Sequence, residues 1–170
     1  RWDEFMSQPK INAPKLISPA DAMASDKIPQ PQELCANTLA CGDIQPGGRS
    51  EGFKLLESFL SGRGVSYQRG MSSPNTAFDS CSRLSAHLSY GTLSIREVFQ
   101  STVRRVKLLR ERGSARQGEW LGSLRAFQSR LHWHCHFVQK LESSPQFEVE
   151  NVHPSYIGIR SEVSPRKDHI

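Results

Sequence analysis

The segment from Ser80 to Ser85 has the side chains best suited to chemistry in this sequence, because it combines three hydroxyls, a thiol and a guanidinium within six residues. The sequence predicts that this segment lies at the N-terminus of a helix, where unpaired backbone N–H groups and the helix dipole favour an anion. A phosphate or a pyrophosphate would fit there. The alternative interpretation is structural: Ser80 and Ser82 cap the helix while Arg83 is solvated.

A second group, formed by His132, His134, Cys135 and His136, contains the kinds of side chain that bind zinc. His132 and His136 share one face of a predicted helix, but His134 lies about 200° round that helix. The sequence has no H-E-x-x-H motif and no distant Cys or His at a spacing that would complete a site. We therefore predict no metal site and interpret these histidines as packed or cofactor-facing.

Two tryptophans and a basic cluster are the remaining candidates for function. Trp120 and Trp133 are either core aromatics or groups for stacking and electron transfer. The basic residues are concentrated in one predicted helix, as Arg104, Arg105, Lys107, Arg110 and Arg112. Such a run is more typical of a solvated face than of a nucleic-acid groove.

Apolar residues that recur every three or four positions predict the helices that position these side chains. The predicted helices run from Gly48 to Gly62, from Asp79 or Ser80 to near Gly91, from Ser94 to Gly113 and from Gly118 to Leu141. The third begins with an S-x-x-E capping box, Ser94 with Glu97. Residues 63–78 are predicted as a loop because they are rich in turn-forming residues. Four helices predict an all-α fold, since helices pack against helices.

The sequence outside these helices is broken by proline. Six prolines between Pro9 and Pro46 predict an extended connector, because proline lacks a backbone donor and restricts the torsions of its neighbours. Proline and glycine after Pro145 predict loops or short turns. We therefore predict a connector in residues 1–46 and a helical domain in residues 47–170.

The composition favours a soluble protein of the cytoplasm. Of the 170 residues, 36% are hydrophobic, and no apolar run approaches the roughly 18 residues that span a bilayer. No signal or transit peptide is visible at the N-terminus. The four cysteines include no CxxC pair, so we predict reduced thiols. The net charge of +5 favours contact with polyanions without requiring it.

Two segments resemble photolyases and cryptochromes. Residues 81–94, Cys-Ser-Arg-Leu-Ser-Ala-His-Leu-Ser-Tyr-Gly-Thr-Leu-Ser, resemble the Thr-Ser-x-Leu-Ser-x-x-Leu-x-x-Gly-x-[Leu/Val]-Ser stretch that begins the flavin pocket of that family. Residues 131–137, Leu-His-Trp-His-Cys-His-Phe, are similar to the Leu-x-Trp-Arg-Glu-Phe-Tyr segment of its long inner helix. A branch of bacterial photolyase-like proteins shares the sequence of this second segment.

This resemblance implies a domain organisation. Residues 1–46 correspond to the interdomain connector of the family, and residues 47–170 to the N-terminal part of its all-α, FAD-binding helical domain. A domain that binds an antenna chromophore would precede Arg1, and the rest of the flavin domain would follow Ile170.

The same resemblance implies which side chains contact FAD. Ser82, Leu84 and Ser85 match residues that hold the phosphates of the flavin through hydroxyl and backbone groups, whereas Cys81 replaces the usual Thr. Tyr67 matches a tyrosine upstream of this stretch. The other implied contacts of the cofactor are Arg83, Phe127, Arg130, His134 and Phe137.

Three of these positions depart from the family pattern. Phe127 stands where many members have Trp, Arg130 where they have Glu, and His134 where they have Arg. The Glu and the Arg belong to the flavin and lesion end of the pocket in members that repair DNA. Trp133 and Arg130 are the implied contacts of DNA, with Trp133 as an aromatic wall for a flipped lesion. No catalytic residue is assigned.

The sequence thus leads to three hypotheses of function. The first is a light-dependent DNA photolyase-like protein, which binds damaged DNA and repairs pyrimidine lesions with an electron from reduced FAD. The alternative is a cryptochrome-type blue-light photoreceptor without repair activity. A second alternative, which depends on charge and the basic helix alone, is a helical interaction module without flavin.

Overall fold

The computed structural model describes residues 2–15, 26–27, 29–30, 33, 45–113 and 115–157. All regular secondary structure in these residues is helical, which confirms the predicted all-α fold. Most of the predicted connector, including Cys35 and Cys41, lies outside the described residues.

From Arg49 onward the helices follow one another with short connections. In chain order, the α-helices whose bounds lie in the described ranges are α1 (Trp2–Ser7), α2 (Arg49–Ser61), α3 (Tyr67–Gly70), α4 (Pro74–Ser80), α5 (Ser85–Ser89), α6 (Ile95–Arg112) and α7 (Gln117–Ser143), with 3-10 turns at Arg63–Ser66, Pro145–Glu148 and Pro154–Tyr156. Three of the four predicted helices are confirmed as α2, α6 and α7. None of the described helices is both long enough and apolar enough to cross a membrane.

Two predictions about the segment between α2 and α6 are wrong. Residues 63–78, predicted as a loop, form a 3-10 turn, α3 and most of α4. Helices of four and seven residues are too short to show a helical period, and Pro74 starts α4 at a position that favours proline. The helix predicted from Asp79 or Ser80 does not start there, because Ser80 ends α4 and Cys81 has an extended backbone.

The longest helices pack against each other and enclose the core. Helix α6 packs along α7, and the turn at Arg63–Ser66 and α3 lie against α7 as well. The buried apolar side chains come from α1, α2, α3, α6 and α7 and from the segment between α4 and α6: Met6, Leu56, Phe59, Tyr67, Leu84, Leu93, Val98, Phe99, Leu109, Trp120, Leu124, Phe127 and Leu131.

A capping box fixes the start of α6 and joins it to α2. The Ser94 hydroxyl accepts from the Glu97 backbone N–H, and the Glu97 carboxylate accepts from the Ser94 backbone N–H, as the sequence predicts. Arg49, the first residue of α2, pairs with the same carboxylate. This hydrogen bond holds the pKa of Glu97 below its ordinary value.

Helix α1 shows that the start of the predicted connector packs against the helical layer. The Met6 side chain is buried, and the Trp2 ring meets Phe99 edge-on with 4.9 Å between ring centroids. The Gln100 side-chain amide donates to the carbonyl oxygens of Met6 at 2.9 Å and of Gln8 at 2.8 Å.

Candidate functional site

The loop between α4 and α5, residues 81–84, has the backbone of an anion-binding nest. We name it the serine loop. Arg83 has φ 59°, in the left-handed region, and Leu84 follows with φ −93° and ψ −3°, in the right-handed helical region. Successive residues of opposite hand bring their N–H groups together into a concavity that binds anions. The N–H groups of Arg83, Leu84 and Ser85 therefore converge.

The amides of Arg83, Leu84 and Ser85 have no acceptor within the described ranges of the chain. Among the described residues, no backbone carbonyl accepts from the N–H groups of Ser82, Arg83, Leu84 or Ser85, and α5 has no side-chain cap. The structural feature that favours an anion differs from the one that the sequence predicts. Helix α5 has five residues, so the backbone of the serine loop, and not the dipole of a long helix, favours an anion.

Two side chains from distant positions hold the other side of the serine loop. The Arg63 guanidinium donates to the Cys81 carbonyl oxygen at 2.5 Å and lies 3.5 Å from that of Ser82. The Gln45 side-chain amide donates to the Arg83 carbonyl oxygen at 2.9 Å. The Arg83 guanidinium lies 3.9 Å from the centre of the Phe78 ring, close enough for a cation–π contact.

Electrostatics in the serine loop follow from burial and from two arginines. Burial raises the pKa of the Cys81 thiol, and the charges of Arg63 and Arg83 oppose that change. The pKa of Arg63 is lowered from its ordinary value, first by burial and then by the charge of Arg83. Cys81 therefore stays a neutral thiol near neutral pH, which is a weak hydrogen-bond donor.

Tyr67 lies in an aromatic cluster at the centre of the molecule. Its ring meets Phe59 and Phe127 edge-on, with centroid distances of 5.6 and 5.7 Å. Burial raises the pKa of the Tyr67 phenol, and the charge of Arg130 opposes this. Through Phe127, Tyr67 thus contacts the middle of α7.

A residue that the sequence analysis missed places Tyr67 against α7. The Ser123 side chain is almost fully buried, donates to the Val65 carbonyl oxygen at 2.8 Å and accepts from the Gln68 backbone N–H at 3.1 Å. These two hydrogen bonds hold the backbone on either side of Tyr67 against α7. The only sequence signal is a small polar residue on the apolar face of α7, which is too common to single out.

The predicted site residues on α7 have different environments. Phe127 is part of the core, as is Leu84 of the serine loop. Trp133 and Phe137 are about half exposed and lie together, with ring centroids 5.8 Å apart. His134 is partly buried, and its Nδ1 has no partner within the described part of the chain.

The structure therefore brings some of the predicted site residues together and leaves others apart. Tyr67 and Phe127 are in contact, and Ser82, Arg83 and Ser85 belong to or flank the nest. His132, His134, Cys135 and His136 form no metal-binding group in the described ranges of the chain, nor does any other set of His, Cys, Asp and Glu there. Arg63 and Gln45, which the sequence analysis did not select, hold the loop.

Comparison with known proteins gives one informative result. A deoxyribodipyrimidine photo-lyase from Streptomyces griseus is 32% identical to the chain over 162 residues. This similarity covers 95% of the chain and 31% of the photo-lyase, so the chain spans about a third of the length of that relative. No family model and no solved structure matches the chain. The similarity fits a photolyase fragment and confirms the resemblance seen in the sequence.

Proposed function

We propose that this chain, which is similar to part of a photolyase over nearly its whole length, supplies the phosphate-binding part of a flavin site in a light-dependent DNA photolyase. The observation that carries the proposal is the nest at Arg83 and Leu84, which lies within the residues that resemble the phosphate-binding stretch of the family. Amide N–H groups, serine hydroxyls and a guanidinium are donors that suit a diphosphate.

The serine loop would hold the two phosphates of FAD through its backbone first. Converging N–H groups from Arg83 to Ser85 donate to phosphate oxygens, and the hydroxyls of Ser82 and Ser85 add further donors. Cys81 replaces a threonine hydroxyl with a thiol, which donates weakly. The backbone contribution is unaffected by that replacement, so the site keeps its main donors.

Further contacts with FAD are proposed for side chains from α3 and α7. Tyr67 keeps its proton at neutral pH, because burial raises its pKa, and a protonated phenol can donate a hydrogen bond. Arg130 adds positive charge beside it. His134 and Phe137 would contact the cofactor from α7, and Phe127 would support Tyr67 from the core.

When bound, reduced FAD supplies light-driven electron transfer to a pyrimidine lesion, whereas the protein binds and orients both partners. Trp133 is exposed enough to stack on a lesion flipped out of the duplex. Arg130 lies one helical turn away and would meet the DNA backbone or the lesion. These roles make damaged DNA the proposed partner.

The absorbance spectrum of the complete natural protein tests the flavin site. We expect a bound flavin, and we expect the double variant Ser82→Ala, Ser85→Ala to lower the affinity for FAD. A hydrogen bond to a charged group contributes about 1.5 to 3 kcal/mol, so the loss should be at least about tenfold. Ser89→Ala, an exposed serine at the other end of α5, serves as the control and should retain FAD. A purified protein without flavin would favour the helical interaction module instead.

A cryptochrome-type photoreceptor is the second candidate. Arg130 and His134 favour it, because they replace residues at the lesion end of the pocket in members that repair DNA. Binding of DNA with and without ultraviolet damage separates the two candidates. A photolyase prefers the damaged DNA and restores it in blue light, whereas equal binding and no restoration would leave the photoreceptor.

A further inference from the structure

We infer that Arg63 is a positioning residue, which sets the direction of the amide groups in the serine loop and so creates the nest. The inference rests on the proposed function, because it concerns how the same phosphate site is built. Arg63 acts from the side of the loop opposite to the nest, through carbonyl groups and not through the ligand.

The contacts of Arg63 join the serine loop to α2. Its Nε donates to the Ser58 hydroxyl at 2.8 Å, and its terminal nitrogens lie 3.3 Å from the Leu55 carbonyl oxygen and 3.5 Å from that of Asp79. The shortest contact is with the Cys81 carbonyl oxygen at 2.5 Å, and the Ser82 carbonyl oxygen lies 3.5 Å away. One side chain thus faces the carbonyl groups along the edge of the loop.

The geometry of the peptide group converts these contacts into an orientation of amides. In a planar trans peptide the C=O of one residue and the N–H of the next point in opposite directions. Because the carbonyl groups of Cys81 and Ser82 point toward Arg63, the N–H groups of Ser82 and Arg83 point away from it. The donors therefore face the side of the loop on which a phosphate would lie.

Gln45 extends the same arrangement by one residue. Its hydrogen bond to the Arg83 carbonyl oxygen directs the N–H of Leu84 away from Gln45. The left-handed backbone of Arg83 is unfavourable for a residue with a Cβ, and such a conformation persists only where surrounding contacts hold it. Arg63 before it and Gln45 beside it are those contacts.

Arginine is suited to this role, and lysine is not. A guanidinium has five N–H donors in a planar fork, whereas an ammonium has three donors at one point. The approach of the Arg63 turn to α2 is also unusually close, since a Cβ on Gly64 would lie 2.6 Å from the Phe59 carbonyl oxygen. This close packing holds the backbone of Arg63 in place, so that its guanidinium contacts α2 and the serine loop at the same time.

The test compares two ligands in the complete natural protein. FAD carries a diphosphate, whereas riboflavin has the same ring system and no phosphate. We expect Arg63→Lys to lower the affinity for FAD at least about tenfold, which corresponds to the loss of roughly one charge-assisted hydrogen bond. The affinity for riboflavin should not change. Arg69→Lys is the matched control, because Arg69 is exposed and pairs with Glu119, and it should leave both affinities unchanged.

The outcomes separate this inference from the proposed function. If the unsubstituted protein does not bind FAD, the proposed function fails, and the inference fails with it. If it binds FAD but Arg63→Lys weakens both ligands equally, Arg63 serves general stability and only the inference is overturned. If Arg63→Lys leaves the affinity for FAD unchanged, the inference is overturned as well.

A second variant covers the case in which Arg63→Lys does not fold, as judged from its thermal unfolding by circular dichroism. Gln45→Ala removes an uncharged hydrogen bond from the partly exposed end of the same loop. It should lower the affinity for FAD by about two- to tenfold and spare riboflavin. An unchanged ratio of the two affinities in Gln45→Ala would contradict the inference.

Discussion

The two halves of α7 have similar numbers of apolar residues and opposite environments. In the first half, residues 117–131, Trp120, Leu124, Phe127 and Leu131 are at most 5% exposed. In the second half, residues 132–143, the apolar side chains of Trp133, Phe137, Val138 and Leu141 are 48 to 57% exposed. We call these the packed half and the open half. The comparison teaches that an apolar stripe predicts a helix without predicting what covers it.

The contacts on the packed half explain the difference. Helix α6, the turn at Arg63–Ser66 and α3 all lie against α7, and the rings of Phe59 from α2 and Tyr67 from α3 meet that of Phe127. The described neighbours of the open half are fewer: the Trp2 ring of α1 lies 4.9 Å from that of His132, Cys135 packs against the core, and the turn at Pro145–Glu148 follows the helix. The proposed flavin and DNA contacts Trp133, His134 and Phe137 are all on the open half. On α7, the proposed contacts Trp133 and Phe137 are therefore side chains that the described fold leaves about half exposed.

The test with the largest expected effect on stability is a matched pair of phenylalanine substitutions. In the 170-residue chain, Phe127→Ala should lower the free energy of unfolding by about 3 to 5 kcal/mol, because it leaves a cavity beneath Tyr67. Phe137→Ala should change it by no more than about 0.5 kcal/mol, because that ring is mostly exposed. Urea unfolding followed by circular dichroism measures both. A similar cost at the two positions would mean that the open half is covered.

A second test concerns the polar contact that fixes α3 on the packed half. Ser123→Ala leaves the Val65 carbonyl oxygen and the Gln68 N–H without their partner. We expect the free energy of unfolding to fall by about 1 to 3 kcal/mol, the usual cost of an unpaired buried polar group. Ser129→Ala, at an exposed position of the same helix, is the control and should be nearly neutral. Equal effects would show that Ser123 does not hold α3.

A third test examines the open half in binding. In the complete natural protein, Trp133→Ala should leave the flavin content unchanged and weaken the binding of ultraviolet-damaged DNA. Stacking of an aromatic side chain on a base contributes roughly 1 to 3 kcal/mol, so the affinity should fall between about fivefold and 150-fold. Leu141→Ala, which is exposed to a similar extent, is the control. Loss of flavin in Trp133→Ala would assign this side chain to the cofactor instead.

The smallest expected effect is a pH dependence at the start of α6. Arg49 lowers the pKa of Glu97 in the folded state, so this pair stabilises the fold at any pH above the unfolded pKa of Glu97. That stability is lost as the pH falls through the lower, folded value. Urea midpoints at pH 7 and pH 3 should therefore differ more in the unsubstituted chain than in Glu97→Gln.

The control for this last test lies on the open half of α7. Glu142→Gln changes an exposed carboxylate near the end of that helix and should leave the response to acid as it is in the unsubstituted chain. If Glu97→Gln and Glu142→Gln lose the same sensitivity to acid, the pairing of Glu97 with Arg49 contributes nothing specific.

The sequence predicted the long helices well and the short ones badly. Helices α2, α6 and α7 have 13 or more residues, so their apolar residues repeat often enough to reveal a helical period. Helices α3, α4 and α5 have between four and seven residues, and their turn-forming residues led to a loop prediction or to a misplaced start. The serine loop was selected for its side chains, although its backbone contributes the nest.

By itself, the sequence determined the features that depend on neighbours three or four residues apart: the capping box of Ser94 and Glu97, the apolar stripes and the all-α class. Only the tertiary structure decided which stripe is covered and how the serine loop is shaped. The bonds responsible join residues that are 18 positions apart in Arg63 and Cys81, 38 in Gln45 and Arg83, and 58 in Val65 and Ser123. No local pattern encodes such a pair, because each partner alone is an ordinary polar residue, and its function depends on the packing that brings the other within reach.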